Sequence, residues 1–196
     1  MGTHSVPGEN PAEFTQALLA LREVPLRPEV RVDEVPAPSR IAPYAVALTA
    51  EVVTAGLPDE GDELASGRFV LLHDPSAPEP WDGVWRVVTF ARAELEPELA
   101  NDPALGGAGW SWLMDALKQR DAPYTAEGGT VTRVVSESFA ALGERKATVE
   151  MEIRASWTPT GPDLGVHLQV WSDLLCMIAG LPPLPDGVVA LPGRRR

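Results

Sequence analysis

The chain has 196 residues and a formal net charge of −12, with 44% hydrophobic and 22% charged residues. This length suits one domain with a full hydrophobic core, and the composition excludes a disordered chain. The acidic balance argues against direct nucleic-acid binding, because contacts with phosphates need a net basic surface or a dense basic patch. The dense basic cluster Arg194 to Arg196 is interpreted as a solvated tail, with an anion or RNA contact as the alternative.

The first predicted helix follows Asn10, an expected N-cap, and has Pro11 at its first position. Its apolar residues repeat with the spacing of one buried helical face, and Pro25 ends it. The predicted buried face consists of Phe14, Ala17, Leu18 and Leu21.

A proline-dotted segment from Pro25 to Pro43 leaves room for one short edge strand at Glu29 to Val35. Three strands are predicted after it, at Tyr44 to Val53, Arg68 to His73 and Val84 to Leu95. The acidic tract Asp59 to Glu63 is expected to form a hairpin loop between the first two of these strands.

After Asn101 the apolar period becomes helical, and the resulting stripe consists of Trp110, Leu113, Met114 and Leu117. Two strands are predicted next, at Thr130 to Phe139 and Ala147 to Thr158. In the second, apolar and polar residues alternate from Val149 to Trp157, as in a half-buried antiparallel strand. A last helix is predicted from Asp163 to Gly180.

The order of elements is helix, strands, helix, strands, helix, and it predicts an α+β fold. We expect a mostly antiparallel sheet of five or six strands with three helices on one face, because adjacent strands with short connections pair antiparallel. The predicted domain covers residues 10–185. Residues 1–9 and 186–196 are expected to be a disordered N-terminal tail and a flexible C-terminal tail.

Cellular location is predicted from three absences. No apolar stretch approaches the roughly 18 consecutive residues of a membrane span, and the polar segment Met1 to Pro11 lacks the pattern of a signal peptide. Cys176 is the single cysteine, which excludes an internal disulfide and a cysteine-based metal cluster. We therefore expect a cytoplasmic protein without membrane association.

Catalytic and cofactor motifs are weak. The glycine-rich stretch Gly106 to Gly109 is interpreted as a flexible helix entry, with anion binding as the alternative. Ser111 lies in an incomplete nucleophile-elbow pattern, and no spacing connects it with His73 or His167 as a base. Three histidines and one cysteine make no convincing zinc site. No cofactor, metal site or catalytic residue is predicted.

Two alternative functions follow. The leading hypothesis is a non-enzymatic binding or adaptor domain that uses an aromatic, apolar surface to bind a protein partner or a second copy of the chain. Its candidate residues are Trp81 and Trp112, whose positions are out of phase with the apolar faces; the segment Pro25 to Pro43 is the alternative cover for Trp112. The alternative is an enzyme or small-ligand-binding protein with a polar pocket. The residues of that pocket would be His73, Asp74, Arg92 and Arg133.

Seven short segments, spread over nearly the whole chain, carry a family resemblance. They lie at residues 41–48, 67–75, 92–96, 109–113, 128–133, 154–159 and 180–183. As a set they resemble an actinobacterial family of uncharacterised proteins, a domain of unknown function numbered three thousand. The resemblance implies an actinobacterial origin and no particular activity. Only two of the sixteen basic residues are lysines, which independently indicates a GC-rich genome.

Overall fold

The computed structural model describes residues 10–54 and 63–182. Within these ranges the chain forms the predicted α+β fold, with three α-helices and six β-strands. In chain order they are α1 (Ala12–Glu23), β1 (Val30–Val35), β2 (Tyr44–Val53), β3 (Glu63–His73), β4 (Trp85–Leu95), α2 (Leu105–Gln119), β5 (Tyr124–Ser136), β6 (Thr148–Pro159) and α3 (Gly165–Ile178).

The strands form one sheet in the order β1-β2-β3-β4-β6-β5, and every neighbouring pair is antiparallel. The first four strands follow chain order. Helix α2 connects β4 to β5. Strand β5 does not pair with β4 and forms one edge of the sheet. The hairpin back from β5 then places β6 between β4 and β5.

The main core lies between the sheet and the three helices. Trp157 of β6 and Trp171 of α3 are both fully buried there. The alternation predicted in β6 is confirmed, because Val149, Met151, Ile153 and Ala155 share that buried face with Trp157. Truncating one buried tryptophan to alanine costs about 3–5 kcal/mol in a packed core.

The opposite face of the sheet has a much smaller apolar cluster, formed by Ala47, Val70 and Leu72. Trp81, in the turn between β3 and β4, packs against this cluster, and so does the segment that precedes β2. The helices of residues 10–54 and 63–182 pack on the other face. No described segment therefore covers the centre of this face, here called the open face, over β3, β4, β6 and β5.

Several element boundaries differ from the predictions. The N-cap of α1 is Pro11, not Asn10, and no side chain caps that helix. The glycine-rich stretch is part of α2, which already begins at Leu105, because a helix tolerates glycine where later turns are well packed. Strand β5 covers Tyr124–Ser136, because its pairing with β6 starts opposite Pro159 and runs through the two glycines before Thr130.

Two more boundaries differ, and several predicted segments lie outside the described residues. Strand β3 begins at Glu63, five residues earlier than predicted. Helix α3 begins at Gly165, and the Asp163 carboxylate accepts hydrogen bonds from the backbone N–H groups of Gly165 and Val166. Most of the predicted Asp59 to Glu63 loop and both predicted tails lie outside the described residues. None of the helices in residues 10–54 and 63–182 has the length and apolarity needed to cross a bilayer.

Candidate ligand-binding groove

The register of the sheet aligns side chains in rows across the open face. One row consists of Arg68 on β3, Phe90 on β4, Arg154 on β6 and Thr130 on β5, each opposite the next. Phe90 therefore has an arginine on each side. The guanidinium carbon of Arg154 lies 5.0 Å from the centroid of the Phe90 ring, a cation–π contact that holds this arginine over the ring.

The next row along the strands consists of Val70, Val88, Ser156 and Gly128. The Val88 side chain is 39% exposed although it lies in the middle of the sheet. Gly128 has no side chain, and nothing lies within 4 Å of where a Cβ would be. Together the two rows enclose a shallow groove of about 560 Å³, with an apolar floor and a low wall on the β5 side.

The two arginines beside Phe90 have different partners. Arg154 forms an ion pair with Glu152, with 2.6 Å between Nη1 and Oε2. Arg68 donates a hydrogen bond from Nη2 to the backbone carbonyl of Pro36 at 2.9 Å. No carboxylate of residues 10–54 and 63–182 lies within ion-pair distance of Arg68. Its guanidinium at the rim of the groove therefore has no ion-pair partner among the described residues.

Arg86, one row further along β4, is half-buried and hydrogen-bonded only to neutral oxygens. Nη1 donates to the Ala126 carbonyl at 2.8 Å and to Thr158 Oγ1 at 3.2 Å, and Nη2 donates to Ser156 Oγ at 2.7 Å. Burial lowers the pKa of Arg86, and within the described chain no ion pair offsets this desolvation. A second guanidinium without a described ion-pair partner thus lies at the end of the groove, held in place by three hydrogen bonds.

The open face is locally basic although the chain is acidic. Twelve positions of β3, β4 and β6 face outward between the row of Leu72, Arg86 and Thr158 and the row of Ser66, Arg92 and Glu152. Four of the twelve side chains are arginines and one is a glutamate, a local net charge of +3 within a chain of net charge −12. The charged side chains are Arg68, Arg86, Arg92, Arg154 and Glu152.

Residues 10–189 match the family described as "Protein of unknown function (DUF3000)". This match covers most of the chain and decides its relationship. The chain belongs to the DUF3000 family. No curated protein and no solved structure matches the chain. Membership therefore confirms the resemblance seen in the sequence and assigns no activity.

In this DUF3000 chain, the four residues of the predicted polar pocket do not come together. His73 lies opposite Trp85 in the β3–β4 register, and Arg92 is seven positions further along β4, about 23 Å at the rise of a β-strand. His73 faces the helices, whereas Arg92 is on the open face. Arg133 lies on the helix side of β5 and donates to the backbone carbonyl of Asp102. Successive side chains of a strand point to opposite faces of the sheet, and this alternation places His73 and Arg92 on different faces.

His73 is 2% exposed and lies among aromatic rings. Its ring centroid is 4.1 Å from that of Trp85, and its Nε2 is 3.6 Å from an oxygen of the exposed Glu13 carboxylate. Burial lowers the pKa of His73, and the Glu13 charge partly offsets this. The next residue, Asp74, accepts hydrogen bonds from the backbone N–H and the hydroxyl of Ser76, and these bonds lower its pKa. His73 therefore packs among aromatic rings, and Asp74 stabilises the turn that follows β3.

The two tryptophans of the predicted partner surface are half-buried. Trp81 packs against the small cluster on the open face, and its carbonyl accepts a hydrogen bond from the Thr158 hydroxyl. Trp112 packs against the main core. Neither residue lines the groove around Phe90.

A nucleophile–base pair is not assembled around Ser111. Its hydroxyl donates to the carbonyl of Ala108, while His167 is fully buried and accepts a hydrogen bond from Trp157 through Nδ1. Cys176 is also buried, and desolvation raises the pKa of its thiol to about 11. No three histidine, cysteine, aspartate or glutamate side chains of the described residues are placed to hold a metal ion.

Sequence reasoning did not select Phe90, Arg68 or Arg154 as site residues. One signal was available, since Arg154 occupies an outward position in the strand with the clearest alternation. That signal does not say which residue lies beside Arg154. Phe90 is 64 positions away in the sequence and becomes its neighbour only because β6 returns next to β4.

Proposed function

We propose that this chain is a non-enzymatic binding domain and that its binding surface is the groove around Phe90 on the open face. The observation that carries the proposal is the exposed apolar floor of the groove, close to Arg68 and Arg86, two guanidinium groups that have no carboxylate partner in the described chain. An apolar floor bordered by a few polar and charged side chains is typical of ligand-binding grooves.

The proposed binding surface is aromatic and apolar, as expected from the sequence, but it lies at a different place in the fold. Phe90 and the valines of the groove replace Trp81 and Trp112 as the central apolar contacts. The competing polar pocket has less support, because His73 and Arg92 lie on opposite faces and near opposite ends of their strands. A cytoplasmic location belongs to the same proposal, and the buried, unpaired thiol of Cys176 is in keeping with a reducing compartment.

The test uses two variants that add the same carboxylate on opposite sides of the sheet. Val88→Glu introduces a charge into the floor of the groove, and Leu19→Glu introduces one on α1, where the native side chain is 51% exposed. Each protein is incubated with an extract of the organism that encodes it, and the proteins and small molecules that co-purify are identified by mass spectrometry. Thermal unfolding of both variants establishes that they are folded.

We expect wild type and Leu19→Glu to retain the same compound or protein and Val88→Glu to lose it. Identical sets of bound species for all three proteins would contradict the proposal, because the groove would then not be the contact surface.

Self-association is a second candidate, and strand β5 favours it. This edge strand has 13 residues, contains no proline or lysine, and is exposed on both faces over most of its length. Val134 and Val135 are 39% and 48% exposed at its end, and Phe139, three residues beyond the strand, is 75% exposed. A long unprotected edge can pair antiparallel with the same strand of a second copy around a twofold axis, which would satisfy its free backbone groups.

Sedimentation velocity at increasing protein concentration tests this second candidate. We expect wild type to form a dimer and the double variant Val134→Lys/Val135→Lys to remain monomeric, since lysines on an edge strand oppose edge-to-edge pairing. A monomeric wild type throughout the concentration series would rule out this candidate.

A further inference from the structure

We infer that the groove binds an amphipathic organic anion, a small molecule with a flat apolar body and one carboxylate or similar acidic group, and that Arg68 binds the acidic group. The inference rests on the proposed function, since it names the class of ligand for the same groove.

The apolar body is indicated by the size and the floor of the groove. Its volume of about 560 Å³ lies within the 300–1,000 Å³ typical of small-molecule sites. The exposed face of Phe90 and the Val88 side chain provide a flat surface, and Arg154 lies over one side of the ring. Gly128 leaves the β5 side open to a ligand, because no side chain projects there.

The acidic group is indicated by the unequal partners of the arginines. A guanidinium has five N–H donors in a planar fork that fits a carboxylate. Glu152 already pairs with Arg154, and three neutral oxygens of the chain hold Arg86. Arg68 makes one hydrogen bond, from Nη2 to Pro36, within the described residues. Arg68 lies opposite Phe90 in the β3–β4 register and both residues line the groove, so its remaining donors are available to the acidic group of a ligand that covers the ring.

The surroundings of the groove favour a small anion over a long one. Glu94 and Glu150 lie opposite each other on β4 and β6, on the same face and one row beyond Arg92. An extended acidic peptide or a nucleic acid laid along the strands would meet these two carboxylates. A monoanion confined to the rows of Phe90 and Val88 would not, because charges on exposed surfaces are screened beyond about 8 Å at physiological salt.

The test compares two compounds that share an apolar body and differ in charge. Naphthalene-2-carboxylate and naphthalene-2-carboxamide are titrated by calorimetry into wild type, Arg68→Gln and Arg31→Gln. Arg31 is the matched control, because it is an exposed arginine on β1 outside the groove. Amide chemical shifts of Val88, Phe90 and Thr130 in wild type report whether each compound enters the groove.

We expect both compounds to shift the groove amides and the carboxylate to bind more tightly than the carboxamide. Arg68→Gln should weaken carboxylate binding about tenfold and leave carboxamide binding unchanged, since one charge-assisted contact is lost. Arg31→Gln should bind both compounds as wild type does.

Three outcomes would overturn the inference. Equal affinities for the two compounds in wild type would show that the groove binds apolar molecules without regard to charge, which leaves the proposed function intact. Tighter binding of a uridine decanucleotide or a glutamate-rich hexapeptide would assign the groove to a polymer. Absence of shifts in the groove with either compound would remove the small-molecule class altogether, and the extract experiment would then decide separately whether the groove binds anything.

Discussion

Lowering the pH from 7 to 4 should destabilise the protein through His167. This residue is in the first turn of α3 and is fully buried, and its Nδ1 accepts a hydrogen bond from Trp157 Nε1 at 3.0 Å. An accepting Nδ1 must be unprotonated, so the folded state requires the neutral ring. Burial lowers the pKa of His167 to about 4 from an ordinary value of 6.5, although the Asp163 charge raises it slightly.

The size of the effect follows from the difference between the two pKa values. Between pH 6.5 and pH 4 the unfolded chain binds a proton at this position and the folded chain does not, so the free energy of unfolding decreases as the pH falls. The stabilisation is complete above pH 6.5 and is lost progressively toward pH 4. At about 1.4 kcal/mol per pKa unit, the loss amounts to about 3 kcal/mol.

The assay is urea unfolding of wild type and His167→Asn at a series of pH values from 7 to 4. Asparagine cannot titrate in this range and places an acceptor oxygen near the position of Nδ1, but it fills less space, so we expect it to be about 1–3 kcal/mol less stable at pH 7. Carboxylates affect both proteins alike, so wild type should lose about 3 kcal/mol more than the variant toward pH 4, and the difference between the two should vanish or change sign there. Parallel pH profiles, or an NMR titration that finds a His167 pKa near 6.5, would refute the reasoning.

Three further predictions concern packing and charge. Gly107→Ala should raise the free energy of unfolding by about 0.5–1 kcal/mol, because Gly107 lies in α2 and a Cβ there would meet nothing within 4 Å. Gly67→Ala should lower the free energy of unfolding by about 1–3 kcal/mol, because its Cβ would lie 2.4 Å from the Phe90 carbonyl oxygen. Equal effects of the two substitutions in thermal unfolding would contradict this prediction. Trp112→Ala should lower the free energy of unfolding by about 2 kcal/mol, less than the loss of a fully buried tryptophan, because Trp112 is half-buried against the core. An unchanged melting temperature together with loss of self-association would instead show that Trp112 contacts a partner. Fluorescence anisotropy should detect no complex with duplex DNA at micromolar protein and about 150 mM salt, because the net charge of −12 repels phosphates. A micromolar complex would show that the arginines of the open face outweigh the net charge.

The sequence by itself predicted which segments become strands and helices wherever a period was clear. A composition rich in strand-forming residues placed β2 correctly at both ends. Side chains of period two identified the buried face of β6, because alternation is a local property of an extended chain. The boundaries of β5 were predicted poorly for the same reason. Its first half contains two glycines and no apolar alternation, and it is a strand only because β6 lies beside it.

The candidate site was decided by tertiary structure alone. Arg68, Phe90 and Arg154 belong to three strands, and each is a common residue type at an ordinary outward position. Two facts make them a site: β6 inserts between β4 and β5, and all three helices pack on the opposite face. The resulting register aligns the three side chains in one row, and the absence of a cover over that row within the described chain leaves them accessible. Neither fact is contained in the pattern of any single segment, because strand order and the choice of covered face depend on interactions between residues far apart in the sequence.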